Sequence, residues 1–498
     1  MANLQSLAKD TAIYGISSIV GRFLNYLLVP LYTAKLSAAS GGYGIITNIY
    51  AYTALLLIIL TYGMETTFFR YVNKEGEKQN TVYSTILLSV AGTSILFIVL
   101  VTLFLSPLAN FMGYAEHSEY VWIMFTTVAF DAFQCIPFAY LRYKNKALKF
   151  AALKMLFIVL NIFGNLLFFL LLPALYESHP DIVSSIYNPR IGVGYAFYVN
   201  IVCTVSITPL FFKELTGFHY TFDKLLLKRM LGYSWPILLL GVTGILSQAA
   251  DKILYPYLDT SGQAHSNLGI YGAASKIAMV MVMIAQAFRY AYEPFVFSKA
   301  KERDSLETYA SIMKYFIIFT LLAFLFVVGF LDVFKYIIAR DYWCGLFVVP
   351  IVMAGEIMYG VYFNLSFWYK LTDRTIWGAV FSGIGCFVLL VINIVFVPEY
   401  GYAACAWGSV GGYGTAMLLS YFVGQKYYPI NYPLRSIFSY VLIAVVFVVA
   451  MMLARHFLPV FGQLACNSVL LLIFVGYILH HDFPISKLLV VGKYFKHK

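Results

Sequence analysis

Several stretches of this chain are apolar on every side rather than on one stripe. Thr85 to Leu105, Phe157 to Leu172, Ile312 to Leu331 and Val441 to Leu453 are of this kind, and Ala54 to Thr61 lies in another. A helix that is apolar all round must be buried in protein or in lipid, and about 20 such residues cover the ~30 Å hydrocarbon core of a bilayer. Short polar or basic stretches separate the runs. The pattern predicts an all-α integral membrane protein of about fourteen transmembrane helices, starting near Thr11, Tyr43, Thr81, Tyr120, Ala152, Ile191, Leu231, Leu268, Tyr309, Gly345, Ile376, Gly401, Ser436 and Cys466. Charged residues make up 11% of the chain, against the roughly 25% of a soluble domain, so most of its length faces lipid or other helices.

The placement of lysine and arginine predicts the orientation, because basic loops are retained in the cytoplasm. With the N-terminus inside, the inner connections hold Arg70, Lys74, Lys78, Arg142, Lys144, Lys146, Lys149, Lys224, Lys228 and Arg229, and the C-terminal tail holds Lys487, Lys493, Lys496 and Lys498. The outer ones hold Lys35, Arg190, Lys335, Arg340 and Arg455. Both termini are therefore expected in the cytoplasm. The formal charge of +11 follows from this topology and from contact with anionic membrane lipids, with no nucleic-acid partner required. The first segment, with Arg22, Asn25 and Pro30 in its apolar run, reads as a retained helix rather than a cleaved leader. Six cysteines occur singly without a CxxC, which suggests neither a zinc site nor a redox motif, although Cys344 and Cys466 could both reach the outer side and form a bridge.

Arg22, Asp131, Asp251, Lys252, Lys276 and Glu356 break the apolar pattern inside predicted helices. Each ionised side chain at such depth costs at least ~2.5 to 3.5 kcal/mol, so these residues are functional candidates. An internal repeat relates some of them. Asn25 to Tyr32 (NYLLVPLY) aligns with Asp251 to Leu258 (DKILYPYL), and Gly42 to Tyr50 (GYGIITNIY) aligns with Ile270 to Ala278 (IYGAASKIA). This pairs Asn25 with Asp251, Arg22 with Gln248, Asn48 with Lys276 and, further on, Glu65 with Glu293; Asp131 and Glu356 pair less strictly. Two six-helix lobes are implied, 1–215 and 216–430, as parallel repeats about an axis along the membrane normal, with 431–498 adding two helices and a basic tail.

Substrate sites in such folds lie near the midplane between repeats. Ser18, Arg22, Asn25 and Val29 share one face of the first helix; Gly244, Gln248, Asp251 and Tyr255 share one face of the seventh. The candidate substrate-binding residues are Arg22, Asn25, Asn48, Gln248, Asp251, Lys252 and Lys276. Arg22 either binds substrate or pairs with an acid such as Asp251. Lys252 is about a quarter-turn round from Asp251 and cannot fully share its direction, and Asp251 is expected either to pair with one of these cations or to titrate. Asp131 and Glu356, with Arg142 and Lys370 on roughly their faces, are candidate ion couplers or intralobe hydrogen-bonding groups. Glu65 and Glu293 are candidate gates, with Arg70 or Arg289 as partners, or else solvated.

Several segments resemble the polysaccharide-transport flippases of the multidrug/oligosaccharidyl-lipid/polysaccharide exporter superfamily. They are Val29 to Thr47, Tyr62 to Lys74, Gly232 to Leu254, Leu268 to Phe295 and Asn393 to Gly414, the most specific part being Asp251 followed by Gly269-Ile270-Tyr271 and Lys276. The resemblance implies two six-helix lobes opening alternately to each side. It also implies transport of undecaprenyl-pyrophosphate-linked oligosaccharide, an O-antigen, capsule or exopolysaccharide unit, across the bacterial cytoplasmic membrane. Cationic cavity residues, a family feature, would here be Arg22, Lys276 and Lys252. No cofactor is implied beyond a coupling ion, H+ or Na+, and a glycan polymerase or ligase is a candidate partner. A cation-coupled multidrug exporter shares the fold. A membrane glycan polymerase or ligase fits less well: the longest outer connection, about Pro173 to Arg190, is too short for a catalytic domain, the eight histidines fall in loops or tails, and no Walker A motif is present.

Overall fold

The computed structural model describes residues 26–299, 305–372 and 374–482, with backbone alone described at 290–299 and 305. All regular structure among the described residues is helical. The principal helices are α1 (Leu28–Lys35), α2 (Gly42–Thr61), α3 (Met64–Val72), α4 (Gln79–Leu103), α5 (Ser118–Tyr143), α6 (Ala147–Leu166) and α7 (Gly194–Ile207). They continue with α8 (Lys224–Leu258), α9 (Ala264–Lys299), α10 (Ser305–Gly329), α11 (Val348–Leu365), α12 (Ile376–Tyr400), α13 (Tyr402–Tyr427), α14 (Leu434–Phe457) and α15 (Val460–His481). Twelve helices among the described residues are long and apolar enough to cross a membrane. The helix α13 is long enough but is diluted by glycine, serine and tyrosine, and is not one of the twelve. Most of the first expected segment, from Thr11, lies outside the described residues, with α1 at its end.

Local chemistry sets the breaks. Between α2 and α3 the chain turns through Tyr62 and Gly63, both left-handed, with φ of 32° and 73°. That conformation costs a non-glycine residue free energy, and Gly63 supplies it without a Cβ. The start of α8 is capped by Asp223, which accepts a hydrogen bond of 2.9 Å from the Leu226 N–H. Packing then divides the chain into two compact units, 1–273 with 393–402 and 274–392 with 403–498. In the first, Phe68, Tyr83, Ile86 and Ile136 lie in a buried cluster; in the second, Phe316, Leu325, Tyr440 and Phe474 do. All six cysteines are free, Cys344 exposed and Cys466 half-buried, so the bridge considered between them is not formed.

Some cations at the helix starts and connections have specific partners. The buried carboxylate of Glu214 pairs with Lys146 at 3.3 Å and Lys149 at 2.5 Å, and Tyr83 donates to the Glu214 carbonyl at 3.0 Å. Glu77 pairs with Arg229 at 2.9 Å.

In the second unit, α14 and α15 are fastened to α10 and to the short turn that follows it. In that turn Asp332 accepts hydrogen bonds from Lys335 at 2.8 Å, Arg455 at 3.0 Å and Gln463 at 2.8 Å, and at the end of α10 Asn467 donates to the Gly329 carbonyl at 2.6 Å. Within α10, Lys314 pairs with Asp482, which also accepts from Tyr440 at 2.5 Å. Burial pushes the Asp332 carboxyl upward, but the hydrogen bonds from Lys335 and Gln463 and the charges of Arg455 and Lys335 outweigh it and hold it below the usual range. A depressed carboxyl contributes stability that is complete above its unfolded pKa of about 3.9 and is lost as pH falls through the lower folded value. The melting-temperature difference between wild type and Asp332→Asn should therefore be constant from pH 8 to pH 5 and shrink below about pH 4. A difference that already shrinks between pH 7 and pH 5 would contradict this assignment.

Candidate functional site

Three helices of the first unit meet at Asp251. This carboxylate, on α8, is 4% exposed. It accepts from the Lys252 ammonium at 2.9 and 3.0 Å, from the Lys252 backbone N–H at 2.9 Å and from the Tyr271 hydroxyl on α9 at 2.7 Å. Lys252 also donates to the Gln248 carbonyl at 3.1 Å, and its ammonium lies 5.5 Å from the centre of the Tyr271 ring. From α2, Asn48 donates to the Lys252 carbonyl at 2.7 Å and accepts from Tyr114 at 2.8 Å. A buried acid is thus compensated by one cation and two hydrogen-bond donors, as a low-dielectric setting requires.

Lys252, about a quarter-turn round the helix from Asp251, is the cation that pairs with it. Its four-carbon stem folds back and brings the ammonium to the preceding residue's carboxylate. Asn48 is buried and its amide holds α2 to α8. The side chain of Gln248 is exposed, and its backbone carbonyl is what joins the network. Lys276 is half-buried further along α9. Arg22 and Asn25 lie outside the described residues.

The approach of α2 to the start of α9 is set by glycine. A Cβ on Gly44 would collide with the His265 carbonyl oxygen and lie 2.7 Å from its carbonyl carbon and 2.9 Å from the Gly269 N. A Cβ on Gly272 would lie 2.6 Å from the Thr47 hydroxyl oxygen. Gly44 and Gly272 occupy equivalent positions of the repeat alignment. Small residues at such crossings let membrane helices touch backbone to backbone, which here brings Asn48 and Tyr271 within reach of α8.

The remaining candidates separate. Glu65 pairs not with Arg70 but with Arg142, at 2.9 Å, and accepts from the Cys135 thiol at 3.2 Å. Arg70 instead lies 4.2 Å from the centre of the Tyr233 ring. Arg142, expected near the cytoplasmic end of its helix on roughly the face of Asp131, is therefore committed to Glu65. Asp131 is half-buried, accepts from Thr204 at 3.4 Å and interacts electrostatically with Lys154 of α6. Arg289 and Lys370 both lie against the Phe363 ring, at 4.2 and 4.5 Å from its centre. Glu356 is half-buried on α11. Glu293 falls where backbone alone is described. Among the described residues no group of three or more His, Cys, Asp and Glu comes together, so none offers a metal-ligand set.

Sequence reasoning missed Tyr271, Tyr114, Cys135 and Lys154. Tyr271 carried a signal, since it lies in the repeat-matched stretch Ile270 to Ala278; Tyr114 and Cys135 had none, because their partners are distant in the chain, and nothing in the position of Lys154 on α6 tied it to Asp131.

Comparison with known proteins places this geometry. Residues 7–300, more than half of the chain, match the family described as polysaccharide biosynthesis protein. The chain belongs to that family. No curated protein matches it. Among solved structures, the lipid II flippase MurJ in an inward closed conformation is similar with a TM-score of 0.70 and 16% identity, over 95% of this chain and 99% of MurJ. An inward-facing multidrug resistance MATE transporter of the MOP superfamily is similar with a TM-score of 0.62 and 15% identity, over 82% of this chain and 94% of that one. The MATE multidrug transporter DinF-BH gives a TM-score of 0.58 and 18% identity, over 84% of this chain and 95% of that one. At these identities the likeness is one of fold. This polysaccharide biosynthesis family member is a multi-pass membrane protein with a MurJ- and MATE-like transporter fold.

Proposed function

We propose that the protein is a flippase that moves undecaprenyl-pyrophosphate-linked oligosaccharide from the inner to the outer leaflet of a bacterial cytoplasmic membrane by alternating access, and that it is not an enzyme. The observation that carries this reading is the compensated Asp251–Lys252 pair within a membrane-crossing helix, in a chain of the polysaccharide biosynthesis family. A charged, hydrogen-bonded group at such a place suits a charged headgroup in transit. Arg22 and Lys276 supply further cations, while the lipid tail stays in the bilayer. A glycan polymerase or ligase would take the product. Depletion should cause lipid-linked glycans of unchanged structure to accumulate in the inner leaflet, as read by mass spectrometry with a leaflet-specific probe; normal levels would oppose the reading.

The rival is a cation-coupled multidrug exporter, favoured by the MATE folds above. It predicts drug sensitivity on deletion with no change in lipid-linked glycans. In either case Asp131 and Glu356 are our candidates for H+ or Na+ coupling, and a transport rate indifferent to both imposed gradients would remove that role.

From the basic loops we expect both termini in the cytoplasm. A reporter fused after Lys498 should be active in its cytoplasmic form and silent in its outer form. The reverse pattern would contradict this placement of the C-terminus.

A further inference from the structure

We infer that Asp251 is a resident competitor for Lys252, an internal counter-ion that an anionic headgroup must displace and that later helps to expel it. The inference rests on the proposed transport of a pyrophosphate-linked substrate. It starts from an asymmetry within the pair. The Asp251 side chain is 5% exposed and is anchored without the ammonium, by the Tyr271 hydroxyl at 2.7 Å and the Lys252 backbone N–H at 2.9 Å. The Lys252 side chain is 24% exposed, and its ammonium is held by the Asp251 carboxylate and the Gln248 carbonyl.

If the pair opens, the carboxylate keeps two donors and stays in place, while the lysine moves on a flexible stem. Opening from the lysine side therefore avoids leaving a bare buried carboxylate, the usual reason such pairs resist breaking. A compact ammonium on four rotatable carbons suits this exchange better than a guanidinium fixed in a planar fork. The incoming group must outbid a carboxylate that is already in contact. A diphosphate carries more charge and more acceptor oxygens than one carboxylate, whereas a neutral sugar or a cationic drug offers Lys252 nothing to exchange for. Asp251 thus sets a threshold in favour of polyanionic headgroups. It also limits affinity, since re-forming the pair favours release, and a carrier that binds too tightly turns over slowly.

Two substitutions should then act in opposite directions. With purified full-length protein in nanodiscs titrated with undecaprenyl pyrophosphate, Asp251→Asn should bind about tenfold more tightly and transport more slowly than wild type. Lys252→Met should bind about tenfold more weakly, and the double variant should match Lys252→Met, because Asp251 acts through the lysine. Tyr271→Phe keeps the pair but removes a donor that the carboxylate retains when the lysine leaves, so it should make opening costlier and weaken binding modestly, and it remains informative if Asp251→Asn does not fold. Weaker binding in Asp251→Asn, tighter binding in Tyr271→Phe, or affinities unchanged in all variants, would overturn the inference and leave a structural ion pair. Wild-type protein that binds no undecaprenyl pyrophosphate would overturn the transport reading itself, and the counter-ion role with it.

Discussion

Arg22→Ala should abolish transport while leaving the protein at near-normal abundance in the membrane. A diphosphate passing through a low-dielectric region needs compensating charge, and the attraction between unit charges there is several times larger than in water. The planar fork of arginine matches two phosphate oxygens at once. Two charge-assisted hydrogen bonds are worth about 3 kcal/mol together, so their loss should slow transport about a hundredfold. Arg22→Lys keeps the charge and loses the fork, and should recover part of the rate. Abundance separates this role from a structural one. A variant that disappears from the membrane would point to a fixed ion pair, and an abundant Arg22→Ala protein with wild-type transport would remove Arg22 from the headgroup site.

Gly44→Leu should destroy the folded protein. The atoms that a Cβ would meet at Gly44 belong to the backbone of His265 and Gly269, which cannot swing aside as a side chain could. Overpacking costs about 1–3 kcal/mol where side chains can adjust, and more where backbone must move. The substitution also pushes α2 away from α9 and takes Asn48 out of reach of α8. Gly92 on α4 is the control, because a Cβ there meets nothing within 4 Å. Gly92→Ala should stabilise its helix by about 0.5–1 kcal/mol. Chromatographic thermal-shift measurements on the two variants should give a collapsed profile for Gly44→Leu and an unchanged or slightly raised midpoint for Gly92→Ala. Equal behaviour would mean that the crossing is looser than its geometry.

Most of the helices were legible because hydropathy in a membrane protein is a coarse and strong signal. A segment expected from Ile376 begins at Ile376 in α12, and one expected from Ser436 begins at Leu434 in α14. The largest discrepancy is at α8, expected from Leu231 and beginning at Lys224. Its first turns are basic and amphipathic, so they belong to the helix without belonging to its apolar run. At the site, the sequence pointed to Asp251, Lys252 and Asn48 through depth in the membrane and through the repeat. It could not supply the partners. A cation partner for Asp251 was among the readings, but which cation it was stayed open, because angular position on a helix treats a side chain as a rigid spoke and lysine is long enough to bend back. The pairing of Glu65 with Arg142 was hidden because Arg70 is nearer in the chain, whereas α3 and α5 come together through packing.

Translocation in a closed system tests the central claim most directly. Protein reconstituted into vesicles with a fluorescent lipid-linked oligosaccharide in one leaflet should move it to the other, with its mass unchanged, faster than empty vesicles or vesicles holding the Arg22→Ala protein. A label that stays in its leaflet, or one that changes mass as it leaves, would contradict the assignment of this protein as a flippase.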